Sequence, residues 1–174
     1  RYNYNRIDFI DEPVDLGFDC PLDLHCSYTR EQLLVAMDFM KPSIVREGVK
    51  WLPDKNIDVF FITLNKSDKD YSPTTMYQDY SINETLFHWQ SQSTTNAEGK
   101  VGQRYINHRK NGSKVLLFVR EFKNDIYGNT APYTYLGTAN YVSHNGSRPM
   151  NITWKLDEPI PAKYLKKTNK LVVG

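Results

Sequence analysis

Net charge is what this sequence most lacks. Its 22 Lys and Arg stand against 20 Asp and Glu, leaving a formal charge of +2. No strongly basic field surrounds such a chain, so any attraction to phosphates must come from a local patch. This argues against a tight non-specific nucleic-acid binder. It fits a domain that supplies discrimination while a tethered neighbour supplies affinity. Cysteine is scarce too: Cys20 and Cys26 are the only two. No disulfide framework is indicated, and we read the chain as cytoplasmic. His25 adjoins the pair, but no second Cys or His cluster follows, so no metal is expected. No apolar run approaches the roughly 20 residues of a membrane span, and no signal peptide opens the chain. The sequence starts at Arg1 rather than Met. We read it as a segment of a longer polypeptide whose other modules hold the chemistry.

Chemical motifs are missing as well. There is no phosphate-binding glycine loop, no Gly-x-Ser-x-Gly elbow and no zinc-protease helix. The zinc deaminases need His-x-Glu followed by Pro-Cys-x-x-Cys, and neither cysteine fits. Asp157 and Glu158 adjoin, but neighbouring carboxylates arise by chance in any chain. Binding is therefore expected rather than catalysis, with no cofactor.

Aromatic residues are what the sequence does have: 12 Tyr, 8 Phe and 3 Trp, or 13% of 174 residues. They favour strands and stacking surfaces. A chain of this length buries roughly two-thirds of its unfolded surface, enough for one domain with a real core.

Residues 1–28 are rich in Asp, Asn and Pro and read as an extended lead-in to a single domain over 29–174. A leading helix over 29–41 follows. Thr29 and Gln32 have the capping-box spacing, Leu33, Leu34, Met37 and Met40 share a face, and Pro42 stops it. Val49–Leu52 and Ile57–Leu64 flank a Pro-Asp-Lys-Asn turn and read as a hairpin. Asn65–Asp79 is polar and reads as a long binding loop. Thr85–Gln92 is a strand with Phe87, Trp89 and Ser91 on one side. Glu98–His108 contains a short helix, and Val115–Phe122 is a buried strand. Tyr133–Ser143 is a strand bent at Gly137. The Asn145-Gly146 pair signals a hairpin to a strand over Met150–Leu156, and Lys163–Lys167 forms a helical tail. The expected class is α+β: a mixed, mostly antiparallel β-barrel with a few short peripheral helices.

One set of motifs is distinctive. Asp70-Tyr71-Ser72-Pro73-Thr74-Thr75-Met76-Tyr77-Gln78-Asp79-Tyr80 runs on to Thr85-Leu86-Phe87-His88-Trp89-Gln90-Ser91. It is followed by Gly102-Gln103-Arg104-Tyr105-Ile106-Asn107-His108, Leu117-Phe118-Val119-Arg120-Glu121, Tyr135-Leu136-Gly137 and Gly146-Ser147-Arg148-Pro149-Met150. Over roughly residues 20–160 the chain resembles the C-terminal domain that follows superfamily II helicase modules in bacterial proteins, as in modification-dependent, type IV restriction enzymes. The resemblance implies a target-recognition domain with an SRA or PUA-like barrel. It implies binding of DNA carrying 5-methylcytosine or 5-hydroxymethylcytosine, with helicase and nuclease modules of the same polypeptide as partners.

A reader of such a base can touch the methyl group in the major groove or flip the base out and enclose it. Enclosure needs flat walls, an acceptor for the cytosine amine and a small space for the methyl. Tyr77, Tyr80 and Trp89 are the candidates for stacking, Asp79 for the amine and Ser91 for a wall. Each has an ordinary use as well, since strand aromatics are commonly core and Asp79 can cap a turn. Lys100, Arg104 and His108 share a helical face and, with Arg109 and Lys110, could reach phosphates. Asn145, Ser147 and Arg148 sit on a hairpin tip that could enter a groove. Two other functions fit the same sequence. One is an intramolecular docking or regulatory module for the helicase motor, which would expose an apolar patch. The other is a reader of modified RNA.

Overall fold

The structure is a computed structural model that describes residues 20–42, 48–65 and 79–168. The expected loop residues 66–78, and with them Tyr77, lie outside these. The described elements are β1 (Ser27–Tyr28), α1 (Arg30–Ala36), β2 (Val49–Leu52), β3 (Ile57–Asn65), β4 (Tyr80–Ser81), β5 (Leu86–Gln90), α2 (Lys100–Ile106), β6 (Lys114–Phe122), β7 (Tyr133–Asn145), β8 (Asn151–Leu156) and α3 (Ala162–Thr168).

Eight strands form one mixed sheet in the order β2-β3-β6-β7-β8-β5-β4, with β1 added against β7. Every pairing is antiparallel except β3 with β6. The α+β, mostly antiparallel class is as expected, but the sheet does not close: its path ends at β2 on one side and β4 on the other. It curls strongly instead. The rings of Phe60 on β3 and Trp89 on β5 stack with centroids 4.2 Å apart, although three strands separate them in the sheet.

Alternation along β3 explains the two cores. Phe60, Ile62 and Leu64 join Val115, Leu117, Phe87, Trp89, Ile152 and Trp154 on the inner face. Ile57, Val59 and Phe61 point the other way, where Leu33, Leu34 and Met37 of α1 cover them together with Leu22, Cys26 and Tyr28. A strand buried on both faces reads as a continuous apolar run, as Ile57–Leu64 does apart from Asp58 and Thr63.

Several local expectations hold. Thr29 and Gln32 make the complete capping box, and Asn56 closes the β2–β3 turn with φ +59°. Gly137 has φ +95°, beside a register shift between Leu117 and Phe118 in the β6–β7 pairing. Two expectations need correcting. Helix α1 ends at Ala36 rather than near residue 41, because Asp38 turns left-handed at φ +66°; Met40 is left 69% exposed instead of on the buried face. Residues 20–28 are no lead-in, since β1 pairs with β7 and Leu22, Leu24, Cys26 and Tyr28 are buried. The hairpin expected at Asn145-Gly146 holds: β7 and β8 pair antiparallel across a connection over 146–150 that contains a cis Arg148–Pro149 peptide.

Candidate nucleic-acid interface

Among the described residues, those expected to wall a base do not surround a common cavity. Trp89 is 4% exposed; besides stacking on Phe60 it meets Tyr105 and Trp154 edge to face. It faces inward because β5 alternates, and Phe87, Trp89 and Ser91 are its buried side. Ser91 ties two chain segments together: its Oγ accepts from the Met150 N–H at 2.8 Å and donates to the Gln92 carbonyl at 3.1 Å. Asp79 is buried, and its Oδ1 accepts from the Gln90 N–H at 2.8 Å. Tyr80 is half-buried on the opposite face, where its ring lies parallel to that of His88 at 4.7 Å. Of the expected aromatic walls among the described residues, only Tyr80 keeps a face toward solvent.

The expected phosphate contacts also separate. His108 lies beyond the end of α2 and is 2% exposed. Its Nε2 accepts from the Tyr141 N–H at 3.0 Å, which leaves Nδ1 as the donor to the Ser113 carbonyl at 3.1 Å. Burial, with the nearby charges of Arg109 and Lys114, holds its pKa below the ordinary histidine value. Arg109 is exposed but donates to the Tyr141 carbonyl at 3.0 Å. Ser147 accepts from the Ala97 N–H and donates to Asn96 Oδ1, while the Arg148 N–H donates to the Thr95 carbonyl. These bonds fasten the β7–β8 connection to residues 95–97. The Asn145 and Arg148 side chains remain exposed on it.

Lys100 and Arg104 are brought together, in a groove between α2 and the β2–β3 hairpin. Helix α2 is set down on the sheet by Tyr105, fully buried against Phe60, Trp89 and Trp154, and Gly102 lets it lie close against the connection at Asn96 and Ala97. A Cβ on Gly102 would stand 2.2 Å from the Asn96 carbonyl oxygen, so only glycine permits this approach. The groove measures about 620 Å³ and is lined by Trp51 and Asn56 from the hairpin, Lys100, Gln103 and Arg104 from α2, and Asn107, Asn111 and Ser113 beyond it.

Arg104 is fixed in this groove. Trp51 and Asp58 are direct cross-strand partners and so share the inner face. Asp58 has no exposure. Arg104 Nε and Nη2 donate to its Oδ2 and Oδ1 at 2.9 and 2.7 Å. The guanidinium carbon lies 4.7 Å from the Trp51 ring centroid. Burial pushes the Asp58 carboxyl above the ordinary carboxylate range, against the pull of Arg104. Burial lowers the Arg104 pKa, but the hydrogen bonds and charge of Asp58 outweigh it and hold the guanidinium above its ordinary value. Arg104 is thus paired, and Lys100 is the exposed cation at the groove rim.

Trp51 and Asp58 were not selected from sequence. The available signal was a carboxylate inside the apolar run Ile57–Leu64: a buried charge requires a partner. That the partner is Arg104, 46 residues away, follows only from the docking of α2.

Among the described residues no three His, Cys, Asp or Glu cluster to hold a metal, and no helix is long and apolar enough to cross a membrane. No curated protein matches the chain. Residues 22–167 match the model of the family described as "Domain of unknown function (DUF3427)", and the chain belongs to that family.

Proposed function

We propose that this chain is the target-recognition domain of an ATP-dependent, modification-dependent restriction endonuclease. In this reading it binds DNA carrying 5-methylcytosine or 5-hydroxymethylcytosine, and cleavage belongs to other modules. The observation that carries the reading is the groove beside α2. A tryptophan, a fixed guanidinium, several amide side chains and a lysine converge there, a combination suited to stacking, base-edge hydrogen bonding and phosphate contact. The sequence resemblance supplies the restriction context. The near-neutral charge suits a domain that discriminates rather than one that clamps DNA.

Titration with matched duplexes differing only in cytosine modification, at one stated salt concentration, tests this. The modified duplex is expected to bind about fourfold tighter, the worth of burying one methyl group at about 0.8 kcal/mol. Equal affinities would remove the reading. Lys100→Ala is expected to weaken both duplexes alike and to lower the salt slope by about one unit.

A second reading is a docking module for the helicase motor. It is favoured by the tip of the β6–β7 connection, where Ile126 and Tyr127 are 91% and 81% exposed. Loss of coupling between ATPase and cleavage on Ile126→Asp, with DNA binding intact, would support it.

A further inference from the structure

The groove beside α2 contains a donor edge that the fold takes trouble to hold still. Nε and Nη2 of Arg104 are engaged by Asp58, and the guanidinium lies over Trp51. The pairing leaves Nη1 without a bond among the described residues, on a side chain that is 20% exposed and lines the groove. A guanidinium held on two sides has already lost its rotamer freedom, so a ligand that accepts from it need not supply that ordering.

Acceptors line the same groove. Asn56 gives its Nδ2 to the Asn111 carbonyl and Asn107 gives its Nδ2 to Gln103 Oε1. Their Oδ1 atoms, and the Asn111 side chain, make no bond among the described residues. The volume of about 620 Å³ falls within the roughly 300–1,000 Å³ typical of small-ligand pockets. A ring wall, a fixed donor and amide acceptors complement a planar heteroaromatic edge that carries both acceptors and an amine. Cytosine has that edge: N3 and O2 accept, and the exocyclic amine donates.

Resting on the DNA-recognition reading above, we propose that this groove receives one unstacked cytosine of the bound strand. Trp51 is its wall, the outer edge of Arg104 donates to N3 and O2, an asparagine Oδ1 accepts from the amine, and Lys100 meets the adjoining phosphate. The base site is therefore placed on β2 and α2 rather than around Trp89.

The three tryptophans provide a selective readout. Trp89 and Trp154 are 4% and 0% exposed, whereas Trp51 lines the groove, so a base entering it should quench Trp51 alone. The chain is titrated with a 5-methylcytosine duplex while anisotropy of a label on the DNA reports binding independently. Quenching that follows the anisotropy curve and disappears in Trp51→Phe is expected. Arg104→Lys, which keeps a cation opposite Asp58, should weaken binding about tenfold or more, and because N3 and O2 are common to cytosine and 5-methylcytosine the modified and unmodified duplexes should lose alike. Thermal melts check that both variants fold. Saturable binding that leaves emission unchanged, with Trp51→Phe and Arg104→Lys binding like the parent chain, would overturn the assignment and leave DNA recognition standing elsewhere. No binding of any duplex would overturn both.

Discussion

Asp58 and Arg104 show what one buried charge demands of its neighbours. The carboxylate has no exposure, and both of its oxygens accept from Arg104. Removing the partner strands a charge in the interior, which typically costs about 3–5 kcal/mol. Arg104→Ala is expected to lose that much in urea unfolding. Replacing Asp58 and Arg104 together by leucine should recover most of it, because no unpaired charge then remains. His108 has a different consequence. Its pKa is lowered by burial, as is that of His25, where the charge of Lys163 adds to the effect. Above about pH 6.5 both are neutral whether the chain is folded or not, and their contribution is complete. As the pH falls further, the unfolded chain takes up protons that the folded chain resists, so stability declines. Protonated His108 would also lose the Nε2 acceptor that the Tyr141 N–H uses. Urea midpoints should be level above about pH 7 and drop toward about pH 5. His108→Gln is expected to reduce that slope, with His25 leaving a remainder.

Element by element, helix α2 decides where the groove lies. Its N-cap is Gly99, which makes no side-chain capping bond, so packing must hold it. Tyr105 supplies the anchor and Gly102 the close approach. Gly102→Ala would ordinarily favour a helix by about 1 kcal/mol. Here the added Cβ would press on backbone atoms of Asn96 and Ala97, which cannot swing aside as a flexible side chain can. A net destabilisation of about 1–3 kcal/mol is expected in thermal or denaturant unfolding, with weaker binding at the displaced groove. Strand β5 illustrates a legible rule applied too loosely. Its alternation already puts Phe87, Trp89 and Ser91 on one side, and that side faces the core. The solvent-side partner of Tyr80 is accordingly His88, the neighbour of the tryptophan chosen for stacking.

At the scale of the whole molecule, the domain begins before the first helix. Leu22, Cys26 and Tyr28 pack into the outer core, and β1 bonds to β7. A chain starting at Thr29 would expose this surface, at roughly 1.5–3 kcal/mol for each large apolar side chain uncovered. It is expected to melt far below the full chain, or to aggregate, in a scan by circular dichroism. The matched family region, 22–167, agrees with this extent. The open, curled sheet also leaves room for a groove at its β2 end, beside α2.

What the sequence determined by itself is local. Strand alternation, the Thr29–Gln32 capping box, the Pro-Asp-Lys-Asn turn and the bend at Gly137 depend on φ/ψ preferences and side-chain spacing within a few residues. They hold in the structure. The tertiary structure alone decided which distant groups meet. The docking of α2 brings Arg104 to the Trp51–Asp58 pair of the β2–β3 hairpin, while packing withdraws Trp89 and His108 from the surface. Such meetings depend on how the sheet curls and which face a helix covers, and neither quantity is carried by the spacing of neighbouring residues.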